Sequence, residues 1–418
     1  MEQTELKTMN KRKKHSMFIV IASLLGLLVM ELLARGAFNL FGRYDGWGYT
    51  TGSNVYRPYI GFASKPYESG RDRYAFKLDS NDDLHRDLTE KDVCEYRIFM
   101  LGGSTVDGRQ LNSVDDTLPA RIEQLLNEQA SSNSTFSVIN GGKGGFISVQ
   151  SLMQHAFYIN YSLKPDFIIH FSGSNDSVGS DLVWPAGKIS GVEDNLHRYA
   201  ERVSLNVNNM TSFYGLFNAT FRKLADYSAV VFLVHKTMND PNSWARWIDD
   251  TAVLKDDQFG MVEWVEKHVR RYIFNVELSA NLADDQIPVV HFFQPTLLPY
   301  MEPWLSPKEK QYLKQGLDSS ESFHGYDRRD AKQHYYFRIR EEFKRLSDSN
   351  NFRFATVYDM SSLFDNKSPA KTYFGDHVHY LSEGRAVIAK EIGKLILPII
   401  QGQIRSTRRF RDCSLDNN

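Results

Sequence analysis

Cysteine is nearly missing from this chain: 418 residues hold only Cys94 and Cys413, and no Cys-x-x-Cys spacing occurs. That excludes a disulfide scaffold and leaves no cysteine pattern for a structural zinc site. In an oxidising compartment the two are free to pair, joining the chain just ahead of its first expected strand to its tail. An excess of either charge is missing too. Lys and Arg number 50 against 51 Asp and Glu, a net charge of -1, so nucleic acid is not a partner held by general electrostatics. The basic stretch from Arg405 to Arg411 is short and reads as part of a solvated, polar tail, 402–418. No internal repeat or low-complexity tract stands out.

Long apolar runs are absent but for one. Lys11-Arg12-Lys13-Lys14-His15 precedes Met17 to Met30, which carry no charge, and counting on through Glu31 to Ala34 gives eighteen positions. That is just enough to cross a bilayer with Glu31 near the far interface. The reading is a cytoplasmic basic N-terminus, 1–16, and a transmembrane anchor, 17–38, with the remaining chain outside by the positive-inside rule. The rival is a cleaved signal peptide, for which Ala34-Arg35-Gly36 offers small residues; Glu31 and Arg35 are poor neighbours for cleavage.

What is present beyond the anchor is a regular alternation. Residues 39–93 show no sustained period and read as a linker and irregular lead-in. Then come five short apolar runs bounded by turn residues: one from Tyr96, then Phe136 to Ile139, Phe167 to Phe171, Pro288 to Phe293 and Phe352 to Tyr358. Helical patterns fall at Leu118 to Gln129, Val149 to Tyr161, Met261 to Leu282 and Gly384 to Ile400. Strand and helix in turn predict an α/β fold with a mainly parallel five-stranded sheet and helices on both faces, over 94–401. Residues 178–257, with Trp184, Trp244 and Trp247, break the alternation and read as an insertion or lid whose tryptophans either form its own core or stack on sugar rings.

Chemistry collects where those strands end. The first run exits into Gly102-Gly103-Ser104-Thr105, a turn that holds a serine hydroxyl in the open. The second exits into Asn140-Gly141-Gly142-Lys143-Gly144-Gly145, which suits backbone N–H groups aimed at an anion; the Gly-Lys-Ser/Thr ending of a nucleotide phosphate loop is missing. The third exits into Ser172-Gly173-Ser174-Asn175-Asp176 and supplies a side-chain amide. After the fifth, Asp376 lies three residues before His379, the spacing for a base whose second nitrogen is held by a carboxylate. His377 is a second candidate base, and two histidines so close also suggest metal ligands, though no third ligand shows an evident spacing.

These four blocks, in this order and each at a strand end, resemble the SGNH hydrolases, the GDSL-like lipase and esterase family. The resemblance runs from Tyr96 to Ile400 with the insertion excepted. It implies a flavodoxin-like three-layer α/β/α sandwich, with Ser104 as nucleophile, His379 as general base and Asp376 as its orienting carboxylate. Ser104 N–H, Gly145 N–H and the Asn175 side chain would form the oxyanion hole, with Gly144 the alternative to Gly145. Gly-Gly-Ser stands where Gly-Asp-Ser is commoner in the family, a variant similar to its bacterial envelope and exopolysaccharide branch.

The expected function is an extracytoplasmic, membrane-anchored serine esterase that removes acyl groups, chiefly O-acetyl, from an envelope or secreted glycan. No cofactor or metal is called for, and the partners are an acylated glycan or small ester and the membrane. A glycan O-acyltransferase using the same serine, or an inactive glycan-binding or assembly protein, are the competing readings.

Overall fold

The computed structural model describes residues 54–57, most of 60–177, 260–317, 328–349 and 352–407, together with Phe410, Cys413 and a helical stretch within 25–33. The chain divides into two compact units, Met1–Val55 with Arg198–Thr251, and Tyr56–His197 with Ala252–Asn418. Of the first unit little beyond the helical stretch is described. Among the described residues no helix is long and apolar enough to cross a membrane. The rest of the expected 17–38 anchor and the whole 178–257 insertion lie outside the described residues.

The second unit is built on a parallel sheet. Asn54–Arg57 (β1) and Gly61–Ser64 (β2) form a small two-stranded sheet ahead of it. The main strands are Glu95–Gly102 (β3), Thr135–Asn140 (β4), Phe167–Ser172 (β5), Val289–Phe293 (β6) and Ala355–Asp359 (β7), in the spatial order β4-β3-β5-β6-β7. All four pairings are parallel, with Ile98 opposite both Val138 and Phe167, and His170 opposite His291. Every residue of β5 and β6 is buried, which requires cover on both faces and explains why those strands read as unbroken apolar runs.

The helices are Ser104–Asp107 (α1), Leu118–Gln129 (α2), Ser148–Gln154 (α3), Met261–Ala280 (α4), Pro307–Leu317 (α5), Arg328–Ser349 (α6) and Ser382–Ser406 (α7). α2 packs on α7, while α4 packs on α3 and α6. The chain leaves β3 for the edge strand β4 and then returns past β3 to β5, so the crossover direction reverses at the β3/β5 boundary. In such sheets ligands bind beyond the carboxyl ends at that reversal. Ser104 follows β3 and Asn175 follows β5, so the fold brings both to the switch point.

Three expectations need correcting. The pattern over Val149 to Tyr161 is not one α-helix: after Gln154 it opens into a π-helical turn, His155–Ile159, whose first residue is buried against His170. α5 and α6 were not anticipated, because the heavily charged sequence of α6 masks a buried stripe of Ala331, Tyr335, Tyr336, Ile339, Phe343 and Leu346. The tail is not simply solvated. α7 runs on to Ser406, Phe410 packs against Tyr96, and Cys413 is buried in a disulfide with Cys94, 319 positions away. A crosslink of such span contributes about 2–5 kcal/mol by restricting the unfolded chain.

Candidate active site

β3 delivers Ser104 through two glycines that differ in what they permit. A Cβ on Gly102 would lie 2.2 Å from the Phe171 carbonyl oxygen, so that position passes directly against β5. A Cβ on Gly103 would lie 2.5 Å from Asn175 Nδ2. Gly103 therefore leaves room for the Asn175 amide beside the nucleophile. Ser104 opens α1, nine-tenths buried, with its hydroxyl aimed at the loop that follows β7.

That loop is a tight turn. Phe374 bridges Tyr380, and the Gly375 N–H donates to the His379 carbonyl over 2.7 Å. Asp376 Oδ1 accepts the backbone amides of Val378 at 2.8 Å and His379 at 2.7 Å, leaving Oδ2 2.6 Å from His379 Nδ1. The other imidazole nitrogen, Nε2, lies 2.6 Å from Ser104 Oγ. Burial opposes the Asp376 charge, yet the hydrogen bonds from the His379 ring and from the two amides outweigh it and hold the carboxyl below the usual range. An ionised Asp376 fixes the proton on Nδ1 and leaves Nε2 to accept from the serine. His377 sits differently: its carbonyl accepts Thr296 Oγ1 at 2.6 Å and the Leu297 N–H at 3.1 Å, which pins the turn to the end of β6.

The glycine loop after β4 is held from several sides. Asn140 Nδ2 donates to the Val106 carbonyl at 3.0 Å and its Oδ1 accepts the Gly142 N–H at 3.0 Å. The Lys143 N–H donates to the Gly102 carbonyl at 3.1 Å. The Gly144 N–H is committed to Asp107 Oδ2 at 3.1 Å, whereas Gly145, at φ 83, makes no N–H hydrogen bond among the described residues. Of the two glycines left open by the sequence, Gly145 is the one with a donor to spare. Asn175 Nδ2 gives one hydrogen to the Phe146 carbonyl at 2.8 Å and keeps the other.

Several supporting residues escaped the sequence reading. Asp107, one turn after Ser104, also pairs with Arg71, and Lys77 donates from Nζ to the Asp107 carbonyl at 2.7 Å and from its N–H to the Asn140 carbonyl at 3.1 Å. The lead-in, which has no period to read, thus clamps the nucleophile helix to the glycine loop. Asp176 accepts both the N–H and the hydroxyl of Ser148 at the start of α3, tying the Asn175 turn to that same loop. Burial, only partly offset by Ser148, pushes the Asp176 carboxyl up to about 6. Asp107 and Asp176 each sit within three residues of a predicted site residue, the one local signal that was available.

No protein-family model matches the chain, and no curated protein sequence does. Solved structures do. A lipolytic protein of the G-D-S-L family from Veillonella parvula aligns over 72% of this chain and 98% of its own at 10% identity, TM-score 0.37. A lipase/acylhydrolase from Enterococcus faecalis covers 72% of this chain and 96% of its own at 12% identity, TM-score 0.36. A family 3 carbohydrate esterase from Clostridium thermocellum covers 74% and 98% at 10% identity, TM-score 0.35. At that identity and score, the chemistry of the site stands on its own atoms.

Proposed function

We propose that the chain is a serine ester hydrolase of the SGNH type, acting through an acyl-enzyme on Ser104 and removing acyl groups, chiefly O-acetyl, from a cell-envelope or secreted glycan. The observation that carries this is the unbroken relay from Ser104 Oγ through His379 Nε2 and Nδ1 to Asp376 Oδ2, with both links at 2.6 Å. His379 takes the Ser104 proton as the oxygen attacks the ester carbonyl, and Asp376 stabilises the imidazolium formed. The carbonyl oxygen, now an alkoxide, rests on the Ser104 and Gly145 N–H groups and the free hydrogen of Asn175. One such donor is worth on the order of 10²-fold to 10³-fold in rate. His379 gives the proton to the sugar oxygen as its bond to the acyl carbon breaks, freeing the sugar hydroxyl, and a water activated in the same way releases the acid.

Placement outside the cytoplasm is supported by the Cys94–Cys413 pairing, since disulfides persist in oxidising compartments, and by the basic cluster ahead of the apolar run. The test is turnover of p-nitrophenyl acetate with labelling by a fluorophosphonate. Ser104→Ala should lose both, with kcat down by at least about 10³-fold and an unchanged melting temperature. On an acetylated glycan, free acetate is the expected product. Undiminished turnover in Ser104→Ala overturns the serine mechanism.

A further inference from the structure

Asp376 and His379 are bonded to each other inside one turn, so the distance from that turn to Ser104 is set by whatever anchors the turn. One anchor is the end of β6, through Thr296 and Leu297 on the His377 carbonyl. A second lies outside the sheet, at the start of α5. That helix opens on Ser306-Pro307-Lys308-Glu309, a capping box with Pro at the first helical position. The Ser306 hydroxyl accepts the Glu309 N–H at 3.3 Å, and Glu309 Oε2 accepts the Ser306 N–H at 2.9 Å. Capping occupies one carboxylate oxygen. The other, Oε1, reaches 64 and 65 positions along the chain and accepts the N–H groups of Tyr373 at 2.7 Å and Phe374 at 3.1 Å. Thr372 adds a bond from the same arm, donating from Oγ1 to Ser306 Oγ at 3.0 Å.

Glu309 is 2% exposed, and among the described residues no cation pairs with it. A carboxylate so buried is costly unless hydrogen bonds replace its water. Three backbone N–H groups and the N-terminus of α5 do so here. A cap serving α5 alone needs neither the burial nor the second oxygen. The arm it grips leads directly to the base: Phe374 bridges Tyr380, the Leu381 N–H donates to the Tyr373 carbonyl at 2.8 Å, and the Gly375 N–H donates to the His379 carbonyl at 2.7 Å. Residues 373–381 are thus one closed hairpin with Asp376 and His379 near its tip. Any shift of the arm is carried to His379 Nε2, 2.6 Å from Ser104 Oγ.

We infer that Glu309 is a positioning residue of the active site: it fixes the arm 372–374 to α5 and so holds the His379 imidazole within hydrogen-bond reach of Ser104. The role rests on the esterase reading, but the first of its two readouts needs no turnover. In the full chain carrying isotope-labelled histidine, the Nε2 resonance of His379, assigned by its loss in His379→Gln, reports whether that nitrogen accepts a hydrogen bond. Ser104→Ala sets the value without one, and Glu309→Ala moves the resonance toward it. The second readout is turnover of p-nitrophenyl acetate. A displaced catalytic group loses up to about 10²-fold, so kcat falls by roughly tenfold to a hundredfold while KM stays unchanged. In a His379→Ala background the same substitution changes the residual turnover by less than about twofold, because no imidazole is left to position, whereas a merely structural loss appears in both backgrounds. Thr372→Val keeps the shape of its side chain, removes one hydrogen bond of the cradle and shows the same pattern at about twofold to tenfold; it decides the question if Glu309→Ala does not fold. A resonance unmoved in the folded variant, or equal losses of kcat with and without His379, overturns the inference. Absent turnover in the parent with the resonance response intact overturns the esterase reading instead and leaves Glu309 in its role.

Discussion

His379 and the trio His155, His170 and His291 are the same side chain in two regions of one sheet, and their fates differ. His379 stands at the carboxyl edge between a carboxylate and a hydroxyl. The trio lies inside, where β5 and β6 face α3 and α4: His170 and His291 stack at 4.6 Å, and His170 Nε2 is 3.2 Å from His155 Nδ1. Among the described residues no carboxylate is bonded to any of the three. Burial holds His155 down to about 4; burial, then the His155 imidazole, holds His291 down to about 3; and burial, then His291 and His155, holds His170 well below its ordinary range. The comparison teaches that an imidazole becomes a base through what faces its second nitrogen. The trio forms a neutral polar patch of core.

The largest effect should come from making His379 resemble the trio at that nitrogen. Asp376→Asn can keep the Val378 and His379 amides on its oxygen, but it then offers an N–H to Nδ1. The ring proton moves to Nε2, which can no longer accept from Ser104. A fall in kcat of about 10⁴-fold on p-nitrophenyl acetate is expected, with melting temperature little changed because the turn survives. A loss under about tenfold would break the relay.

Acid should act on the trio instead. Each folded-state pKa is depressed below the unfolded value of 6.5, so the unfolded chain binds protons first and stability present above pH 6.5 is lost as pH falls toward the folded values. Two carboxyls, the partly buried Glu123 and the buried Asp176, act with opposite sign. Burial pushes Glu123 up to about 7 and Asp176 up to about 6, so in the folded chain they take protons early and add stability on acidification. The histidine contribution is therefore read as a difference. In His155→Gln, which keeps a hydrogen-bonding group toward His170, the stability lost by denaturant unfolding between pH 7 and pH 4 should be smaller than in the parent by about 3 kcal/mol. Parallel pH curves would mean that His155 takes up its proton at the same pH folded and unfolded, so that burial does not hold it neutral.

The strands were legible because burial on both faces writes them as continuous apolar runs, and the blocks at their ends were legible because glycine, serine, asparagine and the Asp376/His379 spacing are local. The geometry between blocks was not. Nothing in the one-dimensional order says that Gly103 must stay bare for Asn175, or that Arg71 and Lys77 reach Asp107 across 36 and 30 positions. His170 and His291 each looked like one polar residue within an apolar strand. Only the parallel register, which sets them opposite each other, makes them a pair. α6 was hidden for a related reason: its exposed face is so charged that the average conceals the stripe.

The smallest effect sharpens the comparison from the buried side. Ser279 Oγ lies 2.9 Å from His291 Nε2 and also 2.9 Å from the Asn275 carbonyl one turn back on α4. A hydroxyl has one proton, so donation to that carbonyl leaves the oxygen to accept from His291 Nε2–H, the reverse of the Ser104–His379 contact, where the serine gives its proton to the ring. Ser279→Ala removes that acceptor and leaves a buried imidazole N–H unsatisfied. A cost of about 1–3 kcal/mol in urea unfolding at pH 7.5 is expected, with kcat on p-nitrophenyl acetate unchanged, because Ser279 touches no acyl-transfer group. If turnover fell along with stability, the two histidine regions would be coupled, and the division of labour between edge and core would not hold.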